Sequence, residues 1–403
     1  MRYVFLCAIF LAALLTQAAA LPPRHDFSGQ YRPNHPVAET RREADSLRIF
    51  VRFPAGSLLP GKPLFVAGWS DYDAKRPLWQ DSVRHLARRQ RQQEDGAILV
   101  AFCLPANRVQ AGQILSLQPT ATPTEDSYGE AWLEITPQRL QRAYILTDSV
   151  GDPLLRRYVR QGEAFGVDHY GTEQPFRAKQ YSMEFTAALP PMTNPATQPP
   201  KPRTLAVRDT LQFRAGQLVR LRQAGIYALL VGSNEPTTGL LVSENQYPAL
   251  TTAAELIEPL IYLTSSDERK KLYSSPDPKR ATDQFWLNVA NQQQAVGRQL
   301  IRTYYGRVAD ANDLFSAHKG GWMTDRGMLY VVLGPPDAVY RKGSEERWVY
   351  HAPAIASGTY VFRAKPSTFA PDNYELVRRP EYEMLWYAAV EQWRKGLIAR
   401  PAR

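Results

Sequence analysis

The stretch that decides the fold of the last third of the chain is Gly321-Trp322-Met323-Thr324-Asp325-Arg326-Gly327-Met328-Leu329-Tyr330-Val331-Val332-Leu333-Gly334-Pro335-Pro336-Asp337. Its apolar run at 328–333 is short and bounded by turn residues, so it predicts a buried strand. Gly321 and Gly327 permit positive φ, and the prolines cannot donate to a ladder, which predicts a turn at each end. The motif positions are Gly321, Trp322, Thr324, Asp325, Arg326, Gly327, Gly334, Pro335, Pro336 and Asp337.

The polar residues of this motif have the chemistry of a folding element. Thr324 and Asp325 carry short acceptors that can bond nearby backbone N–H groups. Trp322 is predicted to cover an edge of the sheet, and Arg326 is predicted to pair with a carboxylate. On this interpretation the motif exists to hold the backbone in shape.

The pattern continues on both sides of the motif. The matching segments are Leu256 to Leu263, Phe285-Trp286, Glu346 to Tyr350, Tyr360 to Arg363, Tyr374 to Leu376, Trp386-Tyr387, Val390 and Trp393-Arg394. Together with the motif they resemble the signature of the GWxTD-domain family, from about Thr251 to Gly396. Proteins of that family are secreted by bacteria, so the resemblance implies secretion. It supplies no catalytic residues.

Residues 249–403 are predicted to form an α+β domain, with helices before and after a small antiparallel sheet. Thr252 and Ser265 each have a Glu three residues later, and these capping boxes predict two short helices. Apolar residues at helical spacing predict one long helix over 282–305. The other predicted elements are a helix at 310–317 with a left-handed cap at Gly320-Gly321, strands at 347–350, 360–363 and 374–377, and a helix at 380–396.

Upstream of residue 249 the sequence predicts two β-sandwich-like domains, over 21–137 and 138–248. Short alternating or apolar runs are separated there by turn residues. The Pro-rich segment 190–202 lacks the N–H donors of a ladder and predicts a long loop, with a domain linker as the alternative. Strands are predicted at 47–53, 64–68, 98–104, 114–117 and 131–135, and then at 143–146, 181–185, 205–207, 217–221, 227–231 and 240–242.

The first twenty residues are typical of a cleavable secretory signal. Arg2 precedes an apolar stretch from Val4 to Leu15, and Ala18-Ala19-Ala20 offers a small-residue cleavage site. The apolar stretch is shorter than the roughly 20 residues that a bilayer span requires, which disfavours an uncleaved anchor. Cys7 lies too early for a lipoprotein site, and Cys103 is predicted to be an inert thiol in a buried strand. The expected location is secreted, periplasmic or on the cell surface.

Charge and motif content exclude several classes of function. The chain has 49 Lys and Arg against 39 Asp and Glu, and the net charge of +10 favours anionic partners. The dense basic run at 84–91 has no aromatic residue, so a nucleic-acid partner is not expected. Metalloprotease, nucleophile-elbow, P-loop and dinucleotide motifs do not occur in the sequence. The six histidines fall singly, so neither a metal nor a cofactor is expected.

The favoured function is non-catalytic binding or assembly at the bacterial envelope, with an unknown protein or an anionic glycan as the partner. The first alternative is a hydrolase, in which a carboxylate and an imidazole share a proton while Arg326 holds an anionic group. It requires four residues to converge at one end of the sheet: His318, Asp325, Asp337 and His351.

The second alternative is a glycan-binding module, in which indole rings stack on sugar faces. The candidate rings are Trp69, Trp79, Trp132 and Trp348. Single tryptophans in β-domains are more often part of the core, so this alternative requires two or more coplanar rings exposed on one face.

Overall fold

The computed structural model describes residues 25–58, 61–119, 129–182, 185–194, 204–244, 246–351 and 358–398. The predicted signal segment, Cys7 and most of the predicted loop at 190–202 lie outside these residues. Within them, no helix combines the length and the apolarity needed to cross a bilayer.

A first sandwich of two four-stranded sheets, ordered β1-β2-β6-β5 and β4-β3-β7-β8, is formed in this part of the chain. Buried aliphatic residues of both sheets share one core cluster, which is why the alternating runs were readable from sequence. The strands are β1 Val37–Glu43, β2 Ser46–Phe53, β3 Leu64–Trp69, β4 Trp79–Ser82, β5 Gln90–Gln92, β6 Ile98–Pro105, β7 Ile114–Pro119 and β8 Ala131–Glu134.

A short helix, α1 Pro137–Gln141, leads into a second sandwich with sheets ordered β14-β11-β9 and β10-β16-β15-β12-β13. A second core cluster joins its two sheets. The predicted strand at 205–207 is wrong, because β13 begins at Val207 and its polar residues lie on an exposed edge. The strands are β9 Tyr144–Asp148, β10 Tyr158–Arg160, β11 Ala164–His169, β12 Phe176–Tyr181, β13 Val207–Phe213, β14 Val219–Arg220, β15 Gly225–Val231 and β16 Thr238–Ser243.

The C-terminal domain packs helices on a four-stranded antiparallel sheet, ordered β17-β18-β19-β20. Both predicted capping boxes are present, at Thr252 and Ser265. The predicted fold class is therefore confirmed: β-rich sheets first, then an α+β unit. The elements are α2 Ala253–Ile257, α3 Ser266–Tyr273, α4 Pro278–Val289, α5 Gln294–Phe315, α6 Asp325–Leu333, β17 Ala338–Lys342, β18 Glu345–Tyr350, β19 Gly358–Ala364, β20 Tyr374–Leu376 and α7 Tyr382–Arg394.

The strand predicted at 328–333 is wrong, because the motif opens a helix, α6. Every residue of α6 from Arg326 to Val332 is buried. A helix that is covered on all sides has no polar face, so its apolar run cannot be told from a buried strand by periodicity. Gly334, at φ 93°, then ends the helix in a conformation that favours glycine.

The single helix predicted over 282–305 is also wrong, since α4 and α5 are separate. Asn291 and Gln292, at φ 50° and 63°, form a left-handed turn between them. Helix α5 then continues to Phe315 and absorbs most of the helix predicted at 310–317. The predicted left-handed cap at Gly320-Gly321 is wrong, because Gly320 has a φ of −52°.

Cys103 lies in strand β6, as predicted, but its side chain is exposed and not buried. Strand β6 alternates faces, and the thiol falls on the outer one, 3.8 Å from a Glu43 carboxylate oxygen. The prediction of an inert core thiol is therefore wrong in its burial.

The segment ahead of β1 joins the C-terminal core. The Phe27 N–H donates to the Val339 carbonyl, and the Val339 N–H donates to Asp26 Oδ1, each at 2.8 Å. Phe27 and Tyr31 are 1% and 4% exposed and belong to the core cluster of the C-terminal domain. The segment ahead of the first sandwich and the C-terminal domain are thus packed together.

Candidate functional site

Thr324 is the N-cap of helix α6 and closes its first turn. Its hydroxyl oxygen accepts from the Gly327 N–H at 3.0 Å and donates to the Gly321 carbonyl at 2.7 Å. The predicted role of this residue is confirmed. Such a cap contributes about 1 kcal/mol and here also fixes the 3-10 turn Gly321–Met323 against the helix.

Gly321 and Gly327 are needed for close packing, and the predicted positive φ is wrong for both. Gly321 lies in the 3-10 turn and Gly327 inside α6. A Cβ atom on Gly321 would stand 1.9 Å from the Ala311 carbonyl oxygen, and one on Gly327 would stand 1.9 Å from the Gly321 carbonyl oxygen. Both clashes are with backbone, which cannot swing aside as a side chain can. The glycines therefore let α6 approach the turn, and the turn approach α5.

Trp322 is buried between helices, at 6% exposure. The Trp322 backbone N–H donates to Asn312 Oδ1 at 3.1 Å, and the Trp322 backbone carbonyl accepts from the Tyr262 hydroxyl at 3.0 Å. Its indole ring meets the ring of Tyr262 edge-on. The ring therefore fills the space between α5 and the turn after α2, and not the predicted sheet edge.

Asp325 fastens helix α6 to strand β20. Its Oδ2 accepts from the Leu376 N–H at 2.8 Å and from Arg378 Nη1 at 3.2 Å, while Oδ1 binds Arg378 Nη2. The side chain is 11% exposed. This bidentate ion pair fixes the orientation of the Asp325 carboxylate and engages both of its oxygens.

We expect Asp325→Asn to lower the free energy of unfolding by about 2 kcal/mol, because a charged hydrogen-bond partner of Arg378 is lost. The measurement is urea unfolding followed by circular dichroism. The matched control is Asp283→Asn, whose carboxylate is 52% exposed and pairs with Lys279 on the helix surface. The control is expected to change stability by less than about 0.5 kcal/mol. Equal losses in the two variants would contradict the structural role.

Arg326 enters a buried ionic cluster, which confirms its predicted pairing with a carboxylate. Its Nη1 lies 3.8 Å from Glu346 Oε1. Glu346 is 0% exposed, and it also binds Arg341 Nε at 2.8 Å and the Tyr31 hydroxyl at 2.6 Å. Trp348 Nε1 donates to Glu346 Oε1 at 2.8 Å. The cluster joins α6, the sheet and the N-terminal segment.

The electrostatics of this cluster keep Glu346 ionised. Burial by itself raises the pKa of the Glu346 carboxyl, but Arg341 and Arg326 outweigh it and the pKa is lowered. For Tyr31, burial is the largest effect and the pKa rises to about 12, so its hydroxyl stays a donor. The cluster is therefore a fixed ion pair with a neutral phenol and has no group poised to exchange protons near pH 7.

Glu39 on β1 belongs to a second ionic group, where it lies 3.0 Å from Arg139 Nε and 3.1 Å from Arg142 Nη2. Burial raises the pKa of its carboxyl, but these two guanidinium groups and Arg157 together lower it from 4.5 to about 2. The folded pKa is thus below the unfolded value. The stabilisation is present above the unfolded pKa and is lost as the pH falls towards the folded one.

We expect Glu39→Gln to flatten the acid limb of the stability curve. Between about pH 5 and pH 2 the wild-type chain should lose about 2–3 kcal/mol more than the variant, because only the wild type takes up a proton at this position. The measurement is urea unfolding across that pH range. Parallel curves for the two proteins would contradict the prediction.

Of the four residues proposed for proton transfer, the structure pairs Asp337 with His351. The backbone N–H of His351 donates to Asp337 Oδ2 at 2.5 Å, and the ring nitrogen Nδ1 of His351 lies 3.9 Å from the same oxygen. Their side chains are 49% and 65% exposed. Asp325 binds Arg378 instead, and the ring of His318 packs edge-on against Phe185.

The four tryptophans considered for glycan stacking do not form one flat, exposed surface. Trp348 is fully buried. Trp69 and Trp132 lie 5.7 Å apart but are tilted by 42°. The Trp79 ring is covered by the Arg108 guanidinium at 4.8 Å. These positions suit packing better than sugar stacking.

The residues that sequence reasoning missed are Tyr31, Arg341 and Glu346. Tyr31 is 315 positions away from Glu346, so no local pattern connects them. One signal was present: residues 346, 348 and 350 share a face of β18, and a Glu in register with Trp348 and Tyr350 is a charge on the core face. Such a charge requires a buried partner.

A protein-family model described as the GWxTD domain matches residues 225–395, from β15 to the end of α7. No curated protein matches the chain. Among solved structures, the ectodomain of the teleost fish polymeric Ig receptor is similar at 11% identity and a TM-score of 0.19, covering 52% of this chain and 100% of that one. A titin segment is similar at 10% identity and a TM-score of 0.14, covering 53% and 100%. These TM-scores are too low to bear on the fold. Residues 225–395, which include the signature at 321–337, are therefore assigned to the GWxTD domain family.

Proposed function

We propose that the protein is a non-catalytic binding or assembly component of the bacterial cell envelope. One observation carries this proposal: the side-chain oxygens of Thr324 and Asp325 in the signature are engaged within the protein. Asp325 is held by Leu376 and Arg378, and the Thr324 hydroxyl by Gly321 and Gly327. A general acid or base must reach the proton it transfers, and these groups are already occupied.

The envelope location rests on sequence and family. Residues 1–20 have the features of a cleavable signal, and proteins with this signature are secreted by bacteria. Two β-sandwiches ahead of the signature-bearing domain offer large, rigid outer surfaces, which suit contacts with other envelope components. The net charge of +10 favours an anionic surface, either on a protein or on an acidic glycan.

The test is in-cell crosslinking in the native host, followed by mass spectrometry of the captured chain. We expect a stable set of envelope partners, and we expect the same set with Asp337→Asn. Recovery of the chain without envelope partners would contradict the proposal. Loss of the partners only in the Asp337 variant would place function at the residue pair considered next.

The second candidate function is hydrolysis, and the Asp337–His351 pair favours it. A carboxylate within hydrogen-bond reach of an imidazole can orient the ring, and here the carboxylate oxygen and His351 Nδ1 are 3.9 Å apart. Both side chains are about half exposed or more, whereas acid–base catalysis usually uses groups in a site that excludes water. This candidate predicts turnover of an ester, amide or glycoside that disappears in Asp337→Asn and His351→Gln, and remains in the Asp283→Asn control.

A further inference from the structure

A cavity of about 380 Å³ lies where the two sandwiches, the C-terminal domain and the N-terminal segment meet. The residues that line it include Glu39 from β1, Arg157 just ahead of β10, and Arg326 from α6. Ligand pockets commonly have volumes of about 300–1,000 Å³ and lie at domain interfaces. We infer that this cavity binds a small hydroxylated molecule that carries a phosphate or a carboxylate.

One wall of the cavity is rich in arginine. Three guanidinium groups, those of Arg139, Arg142 and Arg157, share two carboxylates, Glu39 and Asp372. Among these ion pairs the guanidinium groups outnumber the carboxylates by one. An oxyanion of a ligand would add a further partner, and guanidinium groups bind phosphate and carboxylate in matching bidentate geometry.

The other arginines of the lining bind carboxylates behind the wall. Arg156 pairs with Glu163, whereas Arg326 and Arg341 share Glu346, so this second group also has one more guanidinium than carboxylates. We place the oxyanion at the first group because Arg157 is 28% exposed, whereas Arg326 and Arg341 are 11% and 10% exposed.

The arginine wall of the cavity contains N–H groups without an acceptor. Within the described part of the chain, the Nε atom of Arg142 is buried and has no hydrogen-bond partner, and the residue lines the cavity. A buried N–H without an acceptor is destabilising, but this atom has no surface of its own open to the cavity. Arg157 uses one nitrogen, Nη2, on Asp372 and keeps further N–H groups. A ligand oxygen at this wall would accept from the N–H groups of Arg157, whose side chain is 28% exposed.

The cavity is open to water, and its lining offers further polar groups. Asp372 lies inside the protein but lines the cavity, and 47% of its side chain is exposed to water there. Asp313 accepts from the Tyr158 hydroxyl at 2.9 Å. Burial and the nearby Asp372 raise the pKa of the Glu134 carboxyl, which also lines the cavity. Such groups suit ligand hydroxyls, while the rings of Tyr72 and Trp132 supply apolar surface.

The test is isothermal titration calorimetry of the full chain with a hexose phosphate, with glucuronate and with glucose. We expect binding of the hexose phosphate, of glucuronate or of both, weakened by added salt, and no binding of glucose. The stronger of the two anionic probes then identifies the oxyanion. Equal binding of glucose, or binding of none of the three in the millimolar range, would overturn the inference.

Variants locate the binding site. Arg142→Gln is expected to weaken binding of the anionic probe by about tenfold or more, whereas Arg84→Gln on the exposed basic run leaves it unchanged. If Arg142→Gln does not fold, Arg157→Gln is used, since that side chain is 28% exposed. Equal weakening by Arg84→Gln would overturn the assignment to the cavity. This inference goes beyond the proposed function, since the crosslinking result and the calorimetric result can fail independently.

Discussion

Gly327→Ala is expected to destabilise the C-terminal domain by about 3 kcal/mol or more. The added Cβ would lie 1.9 Å from the Gly321 carbonyl oxygen and 2.9 Å from Trp322 Cα. Relief of this clash requires α6 to move away from the 3-10 turn, which breaks the Thr324 cap. The measurement is the free energy of unfolding in urea.

The chain offers a matched control for this substitution. Gly306 lies in α5, is exposed, and has open space within 4 Å of the position that an added methyl group would take. Gly306→Ala should raise the stability by about 0.5–1 kcal/mol, because alanine is the better helix former. A Gly327→Ala protein as stable as the wild type would show that the close approach of α6 to the turn is not needed.

Glu346→Gln is expected to be the second most damaging substitution, with a loss of about 3–5 kcal/mol. The amide keeps the shape of the side chain but leaves Arg341 and Arg326 without their shared buried anion. Because Tyr31 also binds this carboxylate, the N-terminal segment should detach and become sensitive to protease near residue 31.

Its control is the neighbouring residue. Glu345 is 31% exposed and pairs with Arg347 and Arg363 at 3.4 and 3.6 Å on the surface of the sheet. Glu345→Gln should change the stability by less than about 1 kcal/mol and leave the protease pattern intact. A Glu346→Gln protein with wild-type stability and protection would contradict a structural role for the buried cluster.

Local patterns in the sequence predicted the elements that have one side in the core and the other side exposed to solvent. The strands of the first sandwich have short apolar or alternating runs, and the capping boxes at Thr252 and Ser265 depend on residues three positions apart. Helix α6 was missed because it is covered on every side, so its sequence has no amphipathic period. The break between α4 and α5 was missed because it depends on two residues, Asn291 and Gln292, in a left-handed turn.

The site was only partly predictable for a different reason. The motif at 321–337 was recognised as a structural unit, and the roles of Thr324 and Arg326 follow from their chemistry. The role of its glycines was not predicted correctly, because the close approach of the backbone depends on where α5 and the 3-10 turn lie in space. The Tyr31–Glu346 contact and the arginine-lined cavity join segments that are distant in sequence, and charge counting along the chain cannot detect them.

The central claim is that the signature residues hold the C-terminal domain together, and a double-mutant cycle between Asp325 and Arg378 tests it most directly. Urea unfolding is measured for the wild type, Asp325→Asn, Arg378→Gln and the double variant. The account predicts an interaction energy of about 1–3 kcal/mol between the two positions. Additive effects, with no interaction energy, would contradict it.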